Sequence, residues 1–501
     1  MQPVLFFCMR GDKMKKTKEI TAIIEKESKQ TNTSFSTTKD QQLNPDLLDP
    51  EKSLWKPLFF FFLPLVASNA LQSLSGFISS IVVGQGLGES ELATVNIVMP
   101  LIFFLHSFII GIGGACSVLI GQAFGANDKE QIRSIVNTSL KFAFFLGLFL
   151  TIIGIFFAEN LLTLIQTPAS ILKGATQFAQ IVFSGLPISF VYITYTTFLR
   201  GTGDSKTPLY FLLFSTFIDV VTAPIFALGW FGFPKLAVNG VALAIVLSNA
   251  LALIVLLIYL KQKNHLLAAD STIFKSLKMD LKILKLLIQI GFPTGIQMIL
   301  LSLSQVVVVH LINAYGVYAA AAYSAVVQII AYVQMPAISL GMAVGILGSQ
   351  LIGAKRNERL TELLKSGFWL NGIMGILLMG SAYLFSRAIV SLFLVEPETI
   401  KLAQDILYLI LWSYLLFGIS SVLTGIMRSS GDVFWPTVIG IFSVWGVQIP
   451  LAYLLSETVG FGLKGIWMAG PISFIFSLIV EYLYYRFRWK TRSHQNLFQE
   501  S

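Results

Sequence analysis

The sequence predicts an all-α integral membrane protein with twelve transmembrane helices in two parallel six-helix pseudo-repeats. Three observations lead there. Of the 501 residues, 55% are hydrophobic and only 12% charged, against about 25% charged in a soluble domain. Apolar stretches of about 20 residues or more recur along the chain, the length a helix needs to cross a bilayer. Two motifs also repeat at one spacing. GQAFGANDKE, from Gly121, matches SQLIGAKRNE, from Ser349, so that Gln122 pairs with Gln350, Gly125 with Gly353, Ala126 with Ala354 and Glu130 with Glu358, each 228 positions apart (350 − 122 = 228). LRGTGDSKTP, from Leu199, matches MRSSGDVFWP, from Met427, pairing Arg200 with Arg428, Gly203 with Gly431, Asp204 with Asp432 and Pro208 with Pro436 at the same spacing. Two motifs in one order and register signify a duplicated unit within the membrane.

In chain order, residues 1–56 are rich in Lys, Thr, Ser, Glu and Gln and read as a disordered soluble tail. Its apolar run Val4–Met9 is too short for a signal-peptide core. The spans follow at 57–83, 94–119, 134–157, 174–198, 208–228, 237–260, 286–313, 318–349, 364–385, 401–426, 434–455 and 461–485. This gives a first lobe at 57–260, a linker at 261–285, a second lobe at 286–490 and a second tail at 491–501. Pro64, Pro100, Pro187, Pro224, Pro293, Pro336, Pro450 and Pro471 are the expected bend points.

The basic residues fix the orientation. The first tail, the loops after spans 2, 4, 6, 8 and 10, and the last tail hold 10, 2, 2, 6, 4, 1 and 4 Lys and Arg, 29 in all. The opposite side holds five, namely Lys173, Lys235, Arg387, Lys401 and Lys464, and Lys141 lies within span 3. The positive-inside rule then places the even loops and both termini in the cytoplasm. Six spans per lobe is an even number, so the repeats run parallel, related by an axis along the membrane normal. The net charge of +9 sits in short loops and tails, which argues against nucleic acid. Cys8 and Cys116 offer neither a disulfide framework nor a metal site.

The arrangement resembles the MATE (multidrug and toxic compound extrusion) family. The resemblance rests on Gly121–Ala126 with Gly353–Ala354, on the Arg200–Asp204 and Arg428–Asp432 turns, and on Gly185-Leu186-Pro187. Pro64 and Gly291-Phe292-Pro293 in the first spans of the two lobes add to it. It covers about residues 57–490. It implies a MATE-like fold and a secondary active antiporter that exports amphipathic or cationic compounds in exchange for Na+ or H+ by alternating access. It also implies no organic cofactor, no catalytic residue, small-molecule substrates, a bacterial inner membrane and no demand for an oligomer. The sequence departs from the best-known bacterial branches at their ion sites. Ser79 stands where span 1 of those relatives carries an Asp. In span 5, Asp219 stands where they have Asn, and Ala223 where they have Asp. Leu301 replaces a Glu found in span 7 of some relatives, and the middle of span 10 carries no acid.

An acidic residue at mid-bilayer costs about 2.5–3.5 kcal/mol on insertion scales, so the few present are informative. Asp219, near the middle of span 5, is the first candidate for ion coupling, either carrying a proton or coordinating Na+. Its candidate neighbours are Asn69, Gln72 and Ser79 on span 1 and Ser248 and Asn249 on span 6, with Thr216 and Thr222 beside it. The alternative is an Asp hydrogen-bonded at a helix kink. His310, near an aqueous mouth, suits proton sensing or simple packing. His106 reads as a packing histidine, Lys141 as a snorkelling base, and Glu481 as an interfacial partner of Arg486 and Arg488.

A chamber for amphipathic cations needs aromatic faces and a few hydrogen-bonding groups. The candidates are Tyr192 and Tyr195 on span 4, Gln297 and Gln305 on span 7, and Gln328, Tyr332, Gln334 and Met335 on span 8, with Tyr414 and Phe417 on span 10. Core or lipid contact is the competing reading for each aromatic. Arg200 with Asp204, and Arg428 with Asp432, read as pairs tying tight turns, with a structural or hinge role. Two other readings are weaker. A flippase for lipid-linked oligosaccharides would call for basic residues in the chamber, where only Lys141 is central. An intramembrane enzyme would call for clustered acids or a His–acid pair at a span end.

Overall fold

In hydrocarbon a backbone must satisfy its own N–H and C=O groups, so the apolar runs fold as helices. The computed structural model describes residues 43–268, 278–492, 494 and 496–498. Among them, ten helices are long and apolar enough to cross a membrane, and two bent pairs bring the number to twelve if each pair is one span. Spans 1 to 3 are Trp55–Gly86, Glu89–Gly125 and Lys129–Leu164, and spans 5 to 8 are Lys206–Leu228, Val238–Gln262, Leu281–Asn313 and Val317–Gly353. Spans 9, 11 and 12 are Asn357–Leu384, Phe434–Thr458 and Leu463–Trp489. Large apolar side chains stay exposed along them, such as Phe156, Phe217, Trp369 and Leu377. Such a surface is tolerable only against lipid.

The bent pairs occupy equivalent places. Span 4 is Ala169–Ser184 plus Leu186–Gly201, bent by 49°, and span 10 is Pro397–Ile410 plus Ser413–Ser429, bent by 45°. In span 4 the break falls at Gly185, just before Pro187. A Cβ on Gly185 would press into Val246 of span 6, so the glycine permits that approach. In span 10 the break falls at Leu411-Trp412, without a proline. Pro64, Pro100, Pro224, Pro293, Pro336 and Pro471 lie inside helices that do not break. Span 11 instead passes through two π-helical stretches, Ser443–Gln448 and Leu454–Thr458, on either side of Ile449–Tyr453.

The repeated motifs end spans 2 and 8 side by side. A Cβ on Gly125 would collide with the Gln350 carbonyl, and one on Gly353 with that of Gln122. Only glycine allows these backbones to touch. The two glutamines then cross over. The Gln122 amide donates to the Ser429 carbonyl at 2.8 Å, and the Gln350 amide to the Gly201 carbonyl at 2.8 Å. Donors and acceptors are both related by the repeat (429 − 201 = 228). This places both copies of the motif at one end of the bundle, here termed the motif end, as parallel repeats require.

Spans 1 and 7 each pack into the other half's core near that end. Leu58, Phe61, Phe62 and Leu65 of span 1 join Leu340, Val344 and Leu363. Ile283, Leu287 and Ile290 of span 7 join Leu119, Ile135 and Leu140.

The expected disordered tail 1–56 is corrected from residue 43 onward; residues 1–42 lie outside the described region. Pro45–Leu48 forms a helical turn capped by Asn44. Its Leu47 side chain is buried in the second core. Arg359, 3% exposed, holds the segment by donating to the carbonyls of Asp46, Leu47, Asp49 and Lys52 and to Glu362. An apolar anchor and an arginine clamp order a stretch whose composition alone reads as tail. Of the linker 261–285, residues 269–277 lie outside the described region.

Candidate functional site

Gln72, Ser75 and Ser79 are spaced by three and four residues on span 1 and so share one helix face. They line a cavity of about 440 Å³ together with Asn96 of span 2, Ser215, Thr216 and Asp219 of span 5, and Ser248 and Asn249 of span 6. The structure thus gathers Asp219, Gln72, Ser79, Ser248 and Asn249 in one place. Asp219 is 8% exposed. Its carboxyl interacts with the Ser79 hydroxyl, while its Oδ1 is buried without a partner. Asn249 donates to the Ser189 hydroxyl at 3.2 Å, and Ser248 bonds the carbonyl of Ile245. A carboxylate with an open oxygen among hydroxyls and amides suits a proton or a hard cation, which prefers oxygen ligands. Ser75, Asn96 and Ser215 were missed in the sequence. Ser215 is four residues before Asp219 and hence on its face; Asn96 carries no signal without the packing of span 2.

Two of the sequence candidates lie elsewhere. Asn69 donates to the Ser339 hydroxyl of span 8 at 2.8 Å, so it ties the two halves. His310 is exposed near the far end of span 7. His106 bonds its own helix at the Ile102 carbonyl and packs edge-on against Phe190. Lys141 is 1% exposed and donates to the Lys278 carbonyl at 2.9 Å, so it caps backbone rather than reaching water.

The substrate candidates divide by exposure. Tyr192 and Tyr195, expected on a chamber wall, are buried in the first half's core, with Tyr195 edge-on to Phe198. Both lie on the buried face of the second segment of span 4. Gln305, Gln328 and Tyr332 are exposed, and Gln297, Gln334 and Met335 half-buried. Tyr414 and Phe417 form an aromatic cluster with Phe474 of span 12.

Neither expected turn pair forms. Past Gly203, whose φ is +88°, Asp204 leaves the helix and its carboxylate accepts from the N–H groups of Lys206 and Thr207. It caps span 5. Asp432 accepts from the Tyr484 hydroxyl and faces Arg492 at 4.0 Å. The arginines are therefore released inward. Arg428 donates to Gln297 at 2.8 Å, and Arg200 lies within electrostatic range of Tyr192. The Nε of each is buried without a partner. The expected pairing of Glu481 with Arg486 and Arg488 is also corrected. Glu481 is 3% exposed and takes the hydroxyls of Ser420 and Ser477.

A duplicated twelve-span bundle, sealed by its own repeat at one end and holding a lone carboxyl in a polar cavity, has the build of a membrane carrier. Comparison with known proteins gives the family. The MatE family model matches residues 64–225 and 293–454, and the chain belongs to this family. It is 45% identical over 447 residues to the "Probable multidrug resistance protein YoeA" of Bacillus subtilis, covering 89% of this chain and 96% of that one. It is 29% identical to the "Probable multidrug resistance protein YpnP" of the same organism, over 87% of this chain and 96% of that one. Among solved structures, "Crystal structure of MATE in complex with MaD3S" matches with a TM-score of 0.82 and 20% identity, over 91% of this chain and 99% of that one. "Outward-facing conformation of a multidrug resistance MATE family transporter of the MOP superfamily" matches with a TM-score of 0.82 and 19% identity, over 91% and 99%. At that identity the structures show the shared fold.

Proposed function

We propose that this chain is a secondary active exporter that expels amphipathic or cationic small molecules in exchange for H+ or Na+. It would lie in the bacterial inner membrane with its termini and motif end in the cytoplasm. The observation that carries the reading is Asp219, a buried carboxyl with an open oxygen in a cavity lined by side chains of four spans. A buried acid in a bilayer is costly and here lacks the full set of partners that would make it structural. The names of the relatives support multidrug efflux as the task.

The test is exchange in proteoliposomes holding the purified protein and ethidium, driven by a pH gradient alone or a sodium gradient alone. One of the two gradients should drive ethidium movement, and Asp219→Asn should abolish it while leaving protein level and thermal stability unchanged. Exchange at the wild-type rate in that variant removes Asp219 from coupling. Failure of both gradients to move ethidium and several other dyes overturns the exporter reading.

A further inference from the structure

We propose that Glu481 is a second proton-binding carboxyl, built into the second half from the hydroxyls of spans 10 and 12 and opposed by Arg428. The site is made of named contacts. Ser420 of span 10 donates to Glu481 Oε2 at 2.5 Å, and Ser477, one turn earlier on span 12, donates to Oε1 at 3.3 Å. Thr424, one turn from Ser420, supplies a third hydroxyl. Three hydroxyl donors converging on one carboxyl satisfy its charged form. Arg428, a further turn along span 10, is the charged group acting on it. The guanidinium is held instead by Gln297 of span 7.

Packing alone does not account for the acid. Gly240 and Gly465 hold equivalent places, since a Cβ on either would meet the backbone of the preceding span, at Phe226 C (2.5 Å) and Leu455 C (2.6 Å) respectively. They are 225 positions apart (465 − 240 = 225), and both helices run on unbroken. The counterpart of Glu481 is therefore Leu256 (481 − 225 = 256), fully buried in the first half's core. A leucine fills the same place without the cost of burying an acid. The first half also differs beneath it, where Tyr192 stands in place of Ser420 (420 − 192 = 228). The acid and the Ser420 and Ser477 hydroxyls belong to the second half only, while Thr424 and Arg428 have counterparts in Thr196 and Arg200 that face no such acid.

The chemistry favours a proton over a metal cation. Arg428 repels a second cation, whereas a proton neutralises the carboxyl without adding volume to a tight cluster. Other charged groups on the neighbouring elements stand apart. Lys282, Lys285 and His310 lie toward the ends of span 7, Glu457 at the far end of span 11, Glu398, Lys401 and Asp405 at the far end of span 10, and Glu362 and Lys365 at the motif end of span 9. Arg486 and Arg488 follow on span 12 itself, in its terminal π turn. Ser420, Thr424 and Arg428 are only half-buried, and that side offers the proton its route. When Glu481 takes the proton, Arg428 loses the charge that balances it and is freed to shift against Gln297. Protonation in the second half would thereby be felt on span 7, which packs into the first half's core.

The test is infrared difference spectroscopy of the full-length protein in a lipid bilayer as pH is stepped between about 5 and 9, reading the C=O band of a protonated carboxyl shielded from water. Asp219→Asn should retain one such band, and adding Glu481→Gln should remove it. Identical spectra from the single and double variants overturn the proposal. If Glu481→Gln does not fold, Ser420→Ala in the Asp219→Asn background serves, because loss of a hydrogen bond moves the band. A band that does not move assigns the signal elsewhere and overturns the proposal equally. The readout needs neither substrate nor gradient, so its failure is separate from failure of the exporter reading, on which only the transport consequence rests.

Discussion

At the motif end the two halves make the same bond to each other, Gln122 to Ser429 and Gln350 to Gly201, whereas their buried acids share neither helix nor depth. Asp219 stands 13 residues into span 5, roughly 20 Å from the motif end at 1.5 Å per residue, and borders an open polar cavity. Glu481 stands eight residues before Trp489, roughly 12 Å from the same end, and is enclosed by hydroxyls. The seam is a packing problem, and a duplicated sequence solves it twice in the same way, with glycine where backbones touch and glutamine where carbonyls are orphaned. A buried acid is a local choice, and among the described residues one stands in each half with different surroundings. If these acids bind the coupling ion as proposed, a symmetric seam joined to asymmetric sites would let the carrier respond unequally to its two sides.

The comparison can be broken most severely at the glycines. Gly353→Leu drives a side chain into the Gln122 backbone, and overpacking costs about 1–3 kcal/mol, occasionally more. A marked fall in the midpoint of heat-induced aggregation in detergent is expected, with no change for Gly372→Ala, whose Cβ meets nothing within 4 Å. Equal midpoints for both variants would mean that the seam is not tight. The glutamines give a smaller effect. Gln122→Ala and Gln350→Ala each remove one buried bond, worth about 1 kcal/mol net. Gln122 also accepts from the Leu497 N–H at 3.0 Å, so its loss should cost more, measured as the fraction of molecules labelled by a water-soluble reagent at a cysteine placed in the seam. Equal labelling of the two variants would remove the tail from the seal.

The smallest effect concerns that tail. His494 stacks on Trp489, and its backbone carbonyl accepts from Asn357 at 2.7 Å. Burial holds the imidazole below its ordinary value of 6.5, so the docked tail favours neutral histidine. Docking is then complete above that ordinary value and weakens as pH falls through the lower docked one. Trimming by a carboxypeptidase should accelerate over that acidic interval relative to His494→Phe. Parallel rates in the two proteins would exclude the histidine as the cause.

Much of this architecture is legible in the sequence because it depends on local rules. Span length follows from hydropathy, parallel repeats from an even span count, and two of the cavity residues of span 1, Gln72 and Ser79, from their polarity in an apolar span. What was hidden depends on register between helices. Glu481 reads as a partner of Arg486 and Arg488 because they are near in sequence. Yet five residues turn about 140° around the helix, and seven carry a side chain about 10 Å further along it. Its real partners come mostly from span 10. Arg200 and Asp204 are likewise four apart, a helical pairing distance, but Gly203 in the left-handed region ends the helix between them. Tyr192 and Tyr195 resemble chamber aromatics, but the face of span 4 that carries them packs into the first half's core.

On the exporter reading proposed above, the seam at the motif end is a gate closed by the repeat, and it must open in the working cycle. Spin labels at Glu130 and Glu358, exposed residues 228 positions apart, measure it directly by pulsed electron resonance in liposomes. A single short distance is predicted at rest, with a second, longer population when the driving ion or dye is supplied. One unchanged distance under conditions in which the same liposomes move dye would contradict it.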